Sequence, residues 1–111
     1  MTRQSLAELE LLVILAALKL GPEDAYAVSI SDLIESTTGR AVRRANVHTT
    51  LRRLEEKGLV TTRLGDPRPE RGGKPRRLVA VADAGVGAAR VSAGAVRDLS
   101  AGLGHAFWEP A

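Results

Sequence analysis

A mainly α fold carrying one small β-hairpin is what this chain of 111 residues predicts, and three observations carry the prediction. Apolar residues recur at helical spacing in separate stretches along the chain. The pattern changes after Gly58, where Val60, Thr61 and Thr62 are β-branched and favour a strand, and Leu78 to Val81 supplies a second short apolar run. Between those two runs lies Gly65 to Pro75, which holds three prolines and three glycines, so it cannot fold on itself but can reach outward.

Ser5 and Glu8 have the S-x-x-E spacing of a capping box, and Gly21-Pro22 closes the segment, so a first helix is expected from about Leu6 to Leu20. Leu6, Leu9, Leu11, Leu12, Val13, Ile14, Leu15, Leu18 and Leu20 cover nearly its whole circumference, which is more than one domain face can bury. A second copy of the chain is expected to cover the remainder. A second helix spans Glu23 to Thr38, with Tyr26, Ile30, Leu33 and Ile34 on one face, and ends at Gly39.

The third helix begins at Arg43, faces a core with Val47, Leu51 and Leu54, and stops at Gly58. At about 100° per residue, Ala45, Thr49, Arg52 and Arg53 fall opposite that stripe, with Asn46 and His48 on its flanks. The hairpin follows. Asp83 is expected to cap a last helix from about Ala84 to Leu103, with Val86, Ala89, Ala93, Val96 and Leu99 or Leu103 on one side. Gly104 to Ala111 is expected to fray. The division is therefore 1–82, a winged helix-turn-helix; 83–103, a dimerisation helix; and 104–111, a tail. Leu6, Leu9, Val13, Val86, Ala89, Ala93, Val96 and Leu99 are the candidate homodimer contacts.

Composition narrows the function. The chain is 44% apolar with one Phe, one Tyr and one Trp, so its core must be aliphatic. It has no cysteine, which excludes disulfides and thiolate metal sites and fits a reducing cytoplasm. Glu8 and Glu10 oppose a secretory leader, and Leu11 to Leu18 is too short to span a bilayer, so a cytoplasmic chain without membrane contact is expected. Neither a metal nor a cofactor is expected.

Charge is unevenly spread. Residues 1–39 carry two bases against six acids and residues 78–111 two against three, whereas residues 40–77 carry twelve bases against four acids. This concentrated surplus of eight positive charges attracts phosphates through counterion release. A polar-faced helix followed by a basic hairpin is the plan of a winged helix-turn-helix DNA reader. Asn46 and Thr49 are then the candidates for base edges, Asn suiting adenine and Thr offering a hydroxyl or a methyl. Arg43, Arg44, Arg52 and Arg53 are expected to hold phosphates, Arg52 being the one best placed to reach a guanine instead. Arg68, Arg71, Lys74 and Arg76 would act from the wing on the backbone or the minor groove.

The residues resemble the PadR-like transcriptional regulators, in particular the short members with a single last helix. The resemblance rests on LAELELLVILAAL in the first helix, DAY opening the second, VHTTLRRLEEKGLV through the third, PERGGKPRR in the wing and VADAG opening the last helix. It implies a homodimeric repressor on a palindromic operator in double-stranded DNA, with release by a small-molecule effector in some members. Two positions depart from the family pattern. His48 stands where a Tyr usually precedes the Thr-Thr pair, and its ring N–H can donate to a phosphate in place of that hydroxyl. Arg43-Arg44 stands where the family tends to a Ser cap and an apolar residue. Cations there oppose the helix dipole by about 0.3–1 kcal/mol, so DNA explains the pair better than folding does. Some short members hold planar drugs against a Trp within the last helix; Trp108 lies beyond the expected helix end, so that activity does not carry over.

A competing reading keeps the fold and assigns the basic patch to an acidic protein partner, without DNA. An enzyme is the weakest reading. His48 and His105 are far apart, and Asp66 and Glu70 lie among arginines as simple charge partners.

Overall fold

The computed structural model describes residues 6–66 and 75–109. Among them the chain order is α1 Glu8–Leu20, α2 Ala27–Thr38, α3 Arg44–Glu56, β1 Val60–Leu64, β2 Arg77–Val81, α4 Asp83–Ser100 and α5 His105–Trp108. This is the expected mainly α architecture with one antiparallel hairpin, β1 pairing β2 from Val60 opposite Val81 to Leu64 opposite Arg77.

Helix starts are where structure and sequence pattern differ. Helix α1 begins at Glu8, and it is Glu10 whose Oε1 accepts the Ala7 N–H at 2.8 Å. The box expected of Ser5 and Glu8 is thus shifted by two residues, Ser5 itself lying outside the described residues. Helix α2 begins at Ala27 rather than Glu23, because the Asp24 and Ala25 N–H groups both donate to Gly21 O in a turn. Ser29 Oγ then accepts the Tyr26 N–H at 3.0 Å. Asp83 is the first residue of α4 and not its cap; Ala82 holds the cap position with no side-chain bond. A carboxylate at that first position still favours the helix through the dipole.

Helix ends follow their glycines. At the end of α3, Leu59 N–H donates to Leu54 O at 2.9 Å and Gly58 N–H to Glu55 O at 3.0 Å, with Gly58 at φ 76°. That paired closure requires a left-handed residue, which glycine accepts without a Cβ penalty. Helix α4 stops at Ser100, short of Leu103, since Ala101 turns extended and Gly102 takes φ 81°. The tail expected to fray forms the helical turn α5, all of it exposed.

Val13 and Ile14 of α1, Ile30 and Ile34 of α2, Val47 and Leu54 of α3, and Leu59, Val60 and Val79 of the hairpin fill one aliphatic core. One backbone bond ties the hairpin to the turn before α2, Val79 N–H to Ala25 O at 2.8 Å, and another, Ala82 N–H to Leu59 O at 3.0 Å, closes the open end of the hairpin itself. Ser31, buried in α2, donates its hydroxyl to Val42 O at 2.8 Å and so sets where α3 departs. Only the front of α4 is buried, at Gly85 and Ala89 against the core; Val96 and Leu99 further along are 61% and 85% exposed. The radius of gyration is 15.6 Å, against about 13 Å expected of a compact chain of this length, as a projecting helix requires.

Candidate nucleic-acid interface

Helix α3 sorts its residues by period. Val47, Thr50, Leu51 and Leu54 are buried, and Arg43, Arg44, Asn46, His48, Thr49, Arg52 and Arg53 are exposed. Thr50 was not part of the expected stripe, yet it sits beside Val47 and Leu51 at the same helical face. Thr49 Oγ1 donates to Ala45 O at 3.0 Å, so its proton is spent inside the helix. What it turns outward is a methyl and oxygen lone pairs, which suits a thymine methyl or a base amino group. Arg43 caps α3 without any side-chain bond, leaving two cations at the positive end of the dipole among exposed neighbours.

The arginines grouped by sequence separate in space. Arg53 looks back toward α1, where its charge acts on Glu10. Burial pushes the Glu10 carboxyl up, but the hydrogen bonds from the Lys57 ammonium and the Ala7 N–H, with the charges of Lys57 and Arg53, outweigh it. The net result is a carboxyl held below its ordinary value. Arg52, one residue away and about 100° round the helix, instead lines a cleft between α3 and the hairpin.

That cleft, about 340 Å³, is lined by Ala27, His48, Leu51, Arg52, Glu55, Thr62 and Arg77. Arg77 Nη1 donates to Thr62 Oγ1 at 3.0 Å, and Thr62 Oγ1 donates to Glu55 Oε2 at 2.9 Å. Arg77 is absent from the contact set expected from the sequence, where its neighbour Arg76 stands instead. The signal was the alternation of a strand, which sends adjacent arginines to opposite faces. Arg76 indeed turns the other way, its guanidinium carbon 4.8 Å from the centroid of the Tyr26 ring in a cation–π contact. Arg68, Arg71 and Lys74 lie outside the described residues.

The candidate dimer set also divides. Val13 and Ala89 are 0% and 2% exposed inside the chain's own core, so the expectation that they meet a partner is corrected: neither has surface to offer one. Leu6, Leu9, Val86 and Ala93 are half-buried, while Val96 and Leu99 are open. Leu15, Leu18, Val91, Leu103, Phe107 and Trp108 add further exposed apolar surface. Among the described residues no helix is long and apolar enough to cross a membrane, and no cluster of three His, Cys, Asp or Glu side chains could hold a metal ion.

No protein-family model and no curated protein matches the chain. Solved structures do. A PadR family transcriptional regulator from Eggerthella lenta superposes with a TM-score of 0.65 at 25% identity, over 94% of this chain and 88% of that one. The protein TA0346 from Thermoplasma acidophilum gives a TM-score of 0.67 at 15% identity, over 93% and 97% of the two chains. The protein hsRosR-S4, solved in a complex, gives 0.64 at 17% identity, over 89% and 77%. The last two share the fold.

Proposed function

We propose that this chain, whose fold is that of a PadR-like winged-helix protein, is a transcriptional regulator that binds double-stranded DNA as a homodimer. One observation carries the reading: α3 spends one face on the core and leaves Arg43, Arg44, Asn46, His48, Thr49 and Arg52 exposed on the other, beside the hairpin. Such a face offers cations for phosphates and short polar side chains for base edges, in the order a reading helix needs. Asn46 and Thr49 read bases. Arg43, Arg44 and Arg52 hold phosphates, with His48 donating to one of them, while Arg53, on the side of α3 toward Glu10, adds to the positive field around them. Arg68, Arg71 and Lys74 contribute from the wing, while Arg76 is held against the Tyr26 ring. The PadR family regulator from Eggerthella lenta supports the reading by its likeness in fold and sequence.

The homodimer is supported by the apolar surface left on the chain, with Val96 and Leu99 on α4 and Leu15 and Leu18 on α1. A twofold pair sets two α3 helices toward successive turns of a palindromic operator, about 34–36 Å apart. Repression from such a site, cytoplasmic location and release by a small-molecule effector complete the proposal. The experiment is footprinting across the region upstream of its own gene, with a parallel titration of an unrelated duplex at rising salt. A symmetric protected site and a steep salt dependence are expected; no protection together with no binding at low ionic strength rejects the reading.

A further inference from the structure

We infer that the cleft between α3 and the hairpin seats a phosphodiester of the DNA backbone between Arg52 and Arg77, and that Thr62 and Glu55 aim Arg77 at it. The inference rests on the DNA-binding reading above and adds Arg77 as a contact residue.

The placement follows from strand alternation. Arg77 stands opposite Leu64, on the hairpin face that Thr62 shares; Arg63 points to the other face, where its guanidinium meets Glu23 at 3.2 Å. On the α3 side, His48 and Arg52 are one turn apart and border the same space. The cleft therefore opens beside the base-reading pair, since His48 lies between Asn46 and Thr49 in the chain. If those two reach base edges, a backbone strand of the duplex has to pass between α3 and the hairpin, and this is the gap open to it.

The hydrogen-bond chain explains why an acid stands in a phosphate site. A hydroxyl carries one proton, and that of Thr62 goes to Glu55 Oε2; what Arg77 meets is therefore an oxygen lone pair. Glu55 fixes the hydroxyl without taking the guanidinium fork itself. A direct Arg77–Glu55 pair would occupy two N–H donors and cancel the charge at contact, whereas the relay uses one of five donors. Arg52 and Arg77 together still outweigh Glu55. Leu51 and Ala27, both buried, supply an apolar wall that lowers the local dielectric and strengthens an ion pair made there.

The test is fluorescence anisotropy of the full chain on a labelled random-sequence duplex as NaCl is raised. Arg77→Gln is expected to weaken binding several-fold and to lower the salt slope by about 0.9, the value of one phosphate. Arg63→Gln removes the same charge from the opposite face and is expected to leave the slope unchanged. Thr62→Val is expected to weaken binding in the parent chain and to change nothing further in Arg77→Gln, since the hydroxyl acts only through Arg77. Thermal melts of each variant identify any that are unfolded, and Thr62→Ser, which keeps the hydroxyl, is expected to restore binding. The inference is overturned if the parent chain binds with a steep slope and Arg77→Gln keeps that slope, or if Arg63→Gln loses as much, which marks a diffuse field instead of a contact. Inorganic phosphate added to the same titration separates a free-anion site: competition by phosphate that disappears in Arg77→Gln, with the duplex salt slope unaltered in that variant, also overturns it. A parent chain that binds no duplex at low salt rejects the DNA-binding reading itself.

Discussion

Glu10 Oε2 accepts a hydrogen bond from the Lys57 ammonium at 2.8 Å across 47 residues of sequence, while Oε1 of the same carboxylate caps the start of α1 through the Ala7 N–H. A single carboxylate, 6% exposed, thus ties α1, the helix with the surplus apolar surface, to the end of α3, the helix that exposes Asn46, Thr49 and Arg52. Its ionised form is the one these donors hold, so its folded pKa lies below the unfolded value of 4.5. The sign follows: this contribution is fully present above that value and is lost as pH falls through the lower, folded one. The unfolding temperature of the parent chain is expected to drop on acidification below about pH 4.5. Glu10→Gln should melt lower at neutral pH, by about 1–3 kcal/mol, and lose part of the acid dependence. Circular-dichroism melts from pH 3 to 7 compare the two; an identical acid limb in both would show that the pair does not matter.

Gly85 tests how closely α4 is docked. A Cβ built on it meets Leu59 O at 2.1 Å and Val81 Cγ1 at 2.9 Å, so the helix backbone lies against the chain entering β1. Alanine is the better helix former by about 1 kcal/mol, which alone would stabilise. Backbone cannot yield as a side-chain tip can, and the overpacking costs about 1–3 kcal/mol or more. Gly85→Ala is expected to lower the denaturation midpoint, and a raised midpoint would mean that α4 sits further out.

The elements legible in the sequence were those written locally. The apolar period of α3, the stops at Gly39 and Gly58 and the β-branched run after Gly58 each act within a few residues, and each lies where expected. What was not legible depends on partners distant in the chain. Two carboxylates, Glu8 and Glu10, could have closed the first turn of α1; Lys57 favours Glu10, and no local rule names Lys57. Tyr26 selects Arg76, and Thr62 selects Arg77, so the two adjacent arginines part company. Val13 and Ala89 show the same limit: periodicity marks a residue for burial without saying whether its own chain or another buries it.

On the reading face, Asn46 and Arg52 should fail differently. Asn46 is exposed one turn into α3, and its amide can pair with the two hydrogen-bonding positions of adenine in the major groove. Asn46→Ala is expected to cost about 1–3 kcal/mol on the operator, with the loss confined to one base position per half-site and the salt slope kept. Arg52→Ala should weaken all sequences together and flatten the slope. Binding measured on a set of single-base operator variants separates the patterns, and equal losses on every sequence for Asn46→Ala would remove it from the base-reading set.

In the proposed homodimer, the end of α4 is what would hold the two α3 helices as a pair. Leu99 is 85% exposed and Val96 61%, and Leu103 and Trp108, which follow in the chain, are 52% and 62% exposed. In a lone chain these side chains touch little, so exchanging Leu99 for Glu should alter protomer stability by no more than about 0.5 kcal/mol. In a twofold pair the same change removes apolar burial worth about 1.5–3 kcal/mol per leucine and sets it twice, since an isologous contact repeats every residue. A charge left without a partner in that contact adds to the loss. Sedimentation equilibrium should therefore find the parent chain as a dimer and Leu99→Glu as a monomer that keeps its helical spectrum. Operator affinity should fall toward that of a single half-site, because the second α3 no longer arrives with the first. Unchanged sedimentation in Leu99→Glu would move the interface away from this end of the helix, toward Leu15 and Leu18 of α1.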